Sequence, residues 1–285
     1  MPRVSELYIY PVKSLGGIPV TSVQLTDRGF QYDRRWMLVD ENNIFLTQRD
    51  YPQMALLQTA VTKNGIQVFQ KNCQSVNTVI PFGSTTGDTI TVRVWEDLCE
   101  ATRVTDDTDQ WFSEILNVNC KLVHMADESL RKVDIRYAVH ENDVTSFSDA
   151  YPVLMIGQKS LDDLNSRLLQ PLPINRFRPN IVFEGGEPYE EDVMERFVIN
   201  GINFFGVKLC SRCTITTINQ DTAEKNKEPL KTLAGYRMMN NNTYFGQNVL
   251  FEGRGTIKTG DEIEIIKRKA SPVFNEGCRP VEETT

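Results

Sequence analysis

The sequence predicts a mostly β protein with a few short helices. Three observations carry that expectation. The first 100 residues hold several short alternating runs at close spacing, the habit of a barrel or sandwich. Asn64-Gly65 separates two such runs and is the strongest short hairpin signal in the chain. Helical spacing is confined to a few short stretches, led by Asp107 to Asn117 with Trp111, Ile115 and Leu116 on one face.

In chain order, Val4 to Tyr10 alternates apolar and polar, as a half-buried strand does. Val20 to Leu25 follows. Trp36 to Val39 and Ile44 to Thr47 flank Asp-Glu-Asn-Asn, a turn. Leu56 to Thr62 and Ile66 to Gln70 make the Asn-Gly hairpin, and Thr89 to Val94 is a β-branched strand. Around residues 125 to 147 the pattern turns polar and irregular, so the expected division is residues 1–125, residues 126–270 and a loose tail over 271–285. Beyond the division, Ser160-Leu-Asp-Asp163 has capping-box spacing ahead of Leu161, Leu164 and Leu168. Ile181 to Phe183, Val198 to Ile202, Phe204 to Leu209 and Glu262 to Lys267 read as strands, and Pro229 opens a short helix.

Composition removes whole classes. Of 285 residues, 40% are hydrophobic and 24% charged, a globular balance that excludes wholesale disorder. A net charge of -7 gives no general attraction to nucleic acid or anionic lipid. No apolar run reaches a membrane span and no signal peptide opens the chain, so a cytoplasmic location is expected. Six cysteines are too few for a disulfide scaffold, and two histidines are too few for a histidine-based metal cluster.

The chemistry-bearing residues lie at turns. Cys210-Ser-Arg-Cys213 stands between strand-like flanks, the second being Thr214 to Ile218. A structural zinc site needs two further ligands, and no second Cys-x-x-Cys exists. A thioredoxin-type dithiol wants a helix after the second cysteine, where β-branched residues stand instead. A single thiolate on a soft metal, with Arg212 helping to hold a cysteine ionised, remains open, as do two inert buried cysteines. Lys13-Ser14, Asp33-Arg34-Arg35 and Arg176-Phe-Arg178-Pro-Asn180 place cations beside strand starts, a pattern suited to a phosphate or oxyanion. No Gly-x-Gly-x-x-Gly or Walker loop accompanies them. Asp149, in the Ser148–Pro152 turn, reads as a loop cap or a site carboxylate.

Taken together, Tyr10-Pro-Val-Lys-Ser14, Asp33-Arg34 with Trp36, Ser148-Asp149, Leu164-Asn-Ser-Arg-Leu168, Phe177-Arg-Pro-Asn-Ile181, Cys210-Ser-Arg-Cys213, Glu228-Pro-Leu230, Phe245-Gly-Gln247 and Gly255-Thr-Ile-Lys258 span nearly the whole chain. In this order they resemble MOSC-domain proteins with the associated N-terminal β-barrel domain, the layout of the amidoxime-reducing components. The resemblance implies two β-barrel domains and a molybdenum-molybdopterin cofactor between them. It implies Cys213 as the metal ligand and a catalytic residue, and Asp149 as a catalytic carboxylate beside the metal. It implies Lys13, Ser14, Arg34, Ala150, Tyr151, Arg178, Asn180, Ser211 and Asn248 as cofactor contacts. Ala150, Tyr151 and Asn248 depart from the family pattern, which leaves backbone groups to serve at the first two. The implied activity is reduction of N-hydroxylated compounds, among them amidoximes, hydroxylamines and N-hydroxy nucleobases. Electrons would come from a separate ferredoxin, flavodoxin or b-type cytochrome with its reductase, since this chain carries no flavin or ferredoxin motif. The alternative is a molybdenum-cofactor carrier or sulfur-transfer protein. Pyridoxal phosphate binding belongs to the family's description only, and the lack of a pyridoxal-phosphate domain argues against a self-contained sulfurase.

Overall fold

The computed structural model describes residues 1–274; the part of the expected tail from 275 to 285 lies outside them. The described chain is built mainly of strands with four short α-helices, as the alternation requires. Its largest unit is a nine-stranded sheet. Its main path runs Ile18–Val20, Arg3–Ile9, Ile181–Glu184, Val153–Gly157, Asn242–Glu252, Ile202–Ser211, Met194–Ile199 and Ile263–Arg268. Val153–Gly157 and Ile181–Glu184 are parallel, so the chain between them must cross over, which it does through the Gln158–Ser166 helix. The N-terminal region adds a four-stranded sheet of Trp36–Val39, Lys121–His124, Asp97–Arg103 and Thr89–Val94. It also adds a three-stranded meander of Leu57–Val61, Gly65–Gln70 and Cys73–Pro81.

The expected cut between residues 125 and 126 is a cut in sequence, not in space. Arg3–Ile9 pairs with Ile181–Glu184, and Ser22–Thr26 pairs with Gly255–Lys258. Arg3–Ile9 therefore sits in the large sheet, and Ser22–Thr26 forms a separate three-stranded sheet with Gly255–Lys258 and Gly29–Phe30. Their inward residues Val4, Leu7, Ile9, Val23 and Leu25 share one core with Phe183, Phe197, Phe204, Val249 and Ile263. A second core, with Leu38, Val68, Phe112 and Leu122, fills the N-terminal region. Pairing strands distant in sequence leaves turns such as Tyr10–Ser14 at the seam between the two cores.

Several local expectations change in three dimensions. Val198–Ile202 is not one strand. Asn200 and Gly201, both at positive φ, turn the chain there and join two antiparallel strands. Ser160 is not a cap: the helix begins at Gln158, and the Ser160 hydroxyl instead donates to Glu191 Oε2 at 2.8 Å. Ile44–Thr47 makes only isolated bridges. Thr214–Thr217 is a 3-10 turn rather than a strand, its Thr216 and Thr217 hydroxyls bonding back to the carbonyls of Cys213 and Thr214. Cys73–Pro81 and Asp97–Arg103 are strands without a clear apolar signal. They present few buried side chains, with Ile80 in one and Cys99 and Ala101 in the other. The helix at Asp106–Leu116 matches its expectation, capped by the Thr105 hydroxyl and closed by Asn117 in left-handed backbone.

One buried acid carries a pH-dependent cost. Glu191 is fully buried, its Oε1 has no partner, and Asp192 stands next to it, paired to Arg237 Nη2 at 2.6 Å. Burial, with the neighbouring Asp192 charge, pushes Glu191 up to about 7. Because the folded state holds this proton more tightly than the unfolded chain, the contribution is favourable at low pH. It is lost as pH rises from the ordinary carboxylate value to about 7. Glu191→Gln should therefore gain about 3 kcal/mol on the wild type between pH 4.5 and 8, read as diverging urea midpoints.

Candidate functional site

The site is assembled at the seam. Strand Arg3–Ile9 ends at Tyr10, whose amide donates to buried Asp33 Oδ1 at 2.7 Å. Two further backbone bonds, Lys13 N to Trp36 O and Arg34 N to Tyr10 O, both at 2.8 Å, lock the two turns together. Ser14, Arg34 and Arg178 all sit at positive φ, at 67°, 50° and 56°. Three non-glycine residues in left-handed backbone around one pocket is the strain that functional sites concentrate.

Every residue that the resemblance implied as a contact lines one cavity of about 110 Å³: Lys13, Ser14, Arg34, Asp149, Ala150, Tyr151, Arg178, Asn180, Ser211, Cys213 and Asn248. Cys210, Arg212, Phe177 and Thr216 also stand in its wall. The side chains differ in what they offer. Asn180 is committed to protein: its Oδ1 accepts from Arg34 Nη1 and Leu154 N, each at 3.2 Å, and its Nδ2 donates to Tyr8 O. Tyr151 packs with Val133 and Leu250, and Ala150 has no polar side chain, so these two face the cavity through backbone. The Ser211 hydroxyl donates to Asn242 Oδ1 at 3.1 Å.

Cations dominate the electrostatics. Lys13 is only 5% exposed, and its ammonium donates to Phe147 O at 2.8 Å and Asp149 Oδ1 at 2.7 Å. Burial pushes it down to about 8, against the pull of Asp149. Desolvation also opposes ionisation of Asp149, but Lys13, Arg34 and Arg49 outweigh it and hold the carboxyl well below the usual range. Arg34 pairs with Asp33 and lies 4.7 Å from the Tyr10 ring. Arg178 stacks on the same ring at 4.3 Å, and burial pushes it down to about 10. Three buried atoms here have no partner, Arg178 Nη2, Arg212 Nε and Tyr10 Oη. A donor left so, beside two more cations, is a place for an anion.

The cysteines divide. Arg212 Nη1 donates to Cys210 Sγ at 3.0 Å, and its Nη2 donates to Phe177 O at 2.6 Å. Burial pushes the Cys210 thiol up, with Arg212 opposing. Cys213 sits where strand Ile202–Ser211 gives way to the 3-10 turn, its carbonyl accepting from the Thr216 hydroxyl at 3.0 Å. Among the described residues, no group of three or more His, Cys, Asp or Glu side chains could hold a metal. A closed zinc site is therefore unsupported, and any metal here must bring most of its ligands with it.

Sequence reasoning did not find three residues. Arg131, 4% exposed, donates to the carbonyls of Ser146, Ser148 and Asp149 and so holds the Asp149 turn. Arg49 Nη1 lies 3.9 Å from Cys213 Sγ. Trp95 Nε1 donates to Asp149 Oδ1 at 3.3 Å. All three come from surface-like positions with no local motif.

The comparisons decide the family. Residues 1–119 match the MOSC N-terminal beta barrel domain, and residues 142–264 match the MOSC domain. This chain is a MOSC-domain protein. The human mitochondrial amidoxime-reducing component 1 is 31% identical over 92% of this MOSC protein and 82% of its own length. The mouse counterpart is 30% identical over the same shares. The molybdenum cofactor sulfurase of Oryza sativa subsp. japonica is 31% identical over 86% of this chain, which spans 32% of that longer protein. Among the described residues of this MOSC protein, no helix is long and apolar enough to cross a membrane.

Proposed function

We propose that this protein is a molybdenum-cofactor-dependent oxidoreductase that reduces N-hydroxylated compounds with electrons from a separate donor protein. The observation that carries the reading is one cavity holding a soft thiol at Cys213 and cations at Lys13, Arg34 and Arg178. That donor set fits an anionic, sulfur-rich cofactor. The cations suit its phosphate, the unpartnered Arg178 Nη2 would supply a further polar contact, and Cys213 would supply the one protein ligand a dithiolene-held metal needs. Asn180 acts by holding Arg34, and the turn at Ala150 and Tyr151 offers backbone N–H groups. When bound, the cofactor supplies the two-electron redox chemistry.

The chain's own residues orient the reaction. Asp149 stays ionised through the neutral range, so it accepts a hydrogen bond from the substrate's N–H or hydroxyl rather than giving up a proton. Lys13, bonded to it, fixes its position. Asp149→Asn keeps the size and removes the charge. We expect kcat to fall about 100-fold with molybdenum content unchanged, as removal of one positioned polar group costs. Unchanged kcat would remove Asp149 from the reaction.

The test is reduction of an amidoxime with an artificial electron donor by protein made in a cofactor-competent host. The second reading, a carrier or sulfur-transfer protein, is favoured by the sulfurase match. It predicts full molybdenum with no turnover in that assay.

A further inference from the structure

Trp95 stands where its residue type is doubly unfavourable. It is the first of two residues joining the strands Thr89–Val94 and Asp97–Arg103, with Val94 paired to Asp97 across the turn. Its φ is +58°, a value that glycine dominates at that position of a two-residue hairpin and that is an outlier for a bulky side chain. Its large ring is also 42% exposed. Neither folding nor solubility explains an exposed indole in left-handed backbone.

The ring is nevertheless held still. Its Nε1 donates to Asp149 Oδ1 at 3.3 Å. The Arg49 guanidinium lies 4.1 Å from the ring centroid, and the Phe45 ring packs against it at 5.2 Å. Arg49 is itself fixed: Lys225 Nζ donates to its carbonyl at 2.6 Å, and its own amide donates to the Thr47 hydroxyl at 3.1 Å. Its Nη1 reaches toward Cys213 Sγ at 3.9 Å. A partly exposed aromatic ring is thus pinned beside Asp149, and the Arg49 that stacks on it reaches toward Cys213.

We propose that Trp95, through its bond to Asp149, is a substrate platform beside this pocket, selecting planar, conjugated N-hydroxylated compounds over aliphatic ones, with Arg49 as the residue that positions it. This rests on the reductase reading above. Stacking a conjugated group on the indole strengthens binding by roughly three- to tenfold beyond ordinary burial.

The experiment compares benzamidoxime with acetamidoxime on molybdenum-loaded wild type, Trp95→Gly, Arg49→Gln and Arg49→Lys, with metal content and Tm measured for each. Fluorescence of the cofactor-free protein during the same two titrations, with Trp95→Phe as blank, gives a readout independent of turnover. Wild type should favour benzamidoxime by about tenfold in kcat/KM. Trp95→Gly should cut that preference to about threefold or less, through KM, with molybdenum retained and Tm unchanged or raised, because glycine suits the turn. Arg49→Gln should lose part of the preference and Arg49→Lys should recover it. Only benzamidoxime should change the Trp95 emission. An unchanged preference in Trp95→Gly, or loss of molybdenum from it, overturns the proposal. If loaded wild type reduces neither compound, the reductase reading fails on its own. The fluorescence then judges the platform, and no response to benzamidoxime overturns it.

Discussion

Replacing Cys213 by serine is expected to reduce molybdenum content at least about tenfold and to abolish N-hydroxy reduction, while leaving the fold intact. A hydroxyl is a hard, weakly acidic ligand and does not replace a thiolate on a soft, sulfur-held metal. The fold should survive because the Cys213 side chain is only partly buried and its one polar neighbour is Arg49 at 3.9 Å. The structural bonds at this turn are made by its backbone carbonyl, which serine retains. Elemental analysis and thermal unfolding of both proteins check this together. Equal molybdenum in wild type and variant would leave the pocket as the cofactor site but remove Cys213 as its anchor. Cys210→Ser is the contrast, since its sulfur is occupied by Arg212 at 3.0 Å. It should disturb the packing of the turn more than the metal.

Asp33→Ala is expected to destabilise the protein by about 3–5 kcal/mol. Asp33 is 2% exposed, accepts from the Tyr10 amide and pairs with Arg34. Burial pushes its carboxyl above the usual range, with Arg34 and the Tyr10 amide pulling it back. The pair therefore gives little net stability, but removing one partner strands the other charge in a dry site. Arg34 would be left with Asn180 Oδ1 and Arg178 O, both at 3.2 Å, and no carboxylate in hydrogen-bond contact. The turn carrying Lys13 and Ser14 would lose one of its ties to the Arg34 turn, leaving the two backbone bonds, so cofactor loading should fall with stability. Urea unfolding and metal content measure the two effects. A loss under about 1 kcal/mol would mean that solvent reaches Arg34 freely.

The candidate site was legible in part because its chemistry is local. Phe177-Arg-Pro-Asn180 and Cys210-Ser-Arg-Cys213 each carry distinctive residues within a few positions, and Lys13-Ser14 follows a strand that alternation alone identifies. Arg49, Trp95 and Arg131 carried no such mark. Arg49 and Trp95 matter because the turns bearing them come within reach of Cys213 and Asp149, 164 and 54 positions away. Glu191 was equally silent: an acidic run at Glu190–Asp192 reads as surface until the fold buries it.

The sequence by itself determined the β class, the hairpin at Asn64-Gly65, the helix at Asp106–Leu116 and the motifs that point to the family, because periodicity and short motifs are properties of neighbouring residues. Only the tertiary structure decided that Arg3–Ile9 joins Ile181–Glu184 and that Ser22–Thr26 pairs with Gly255–Lys258. Strand partners are chosen by which apolar faces can be buried together and which edges remain to be paired, and neither is visible along a single chain. The same long-range choice placed Cys213, Asp149, Lys13, Arg34 and Arg178 around one cavity, with Trp95 bonded to Asp149, and with it the chemistry proposed for this protein.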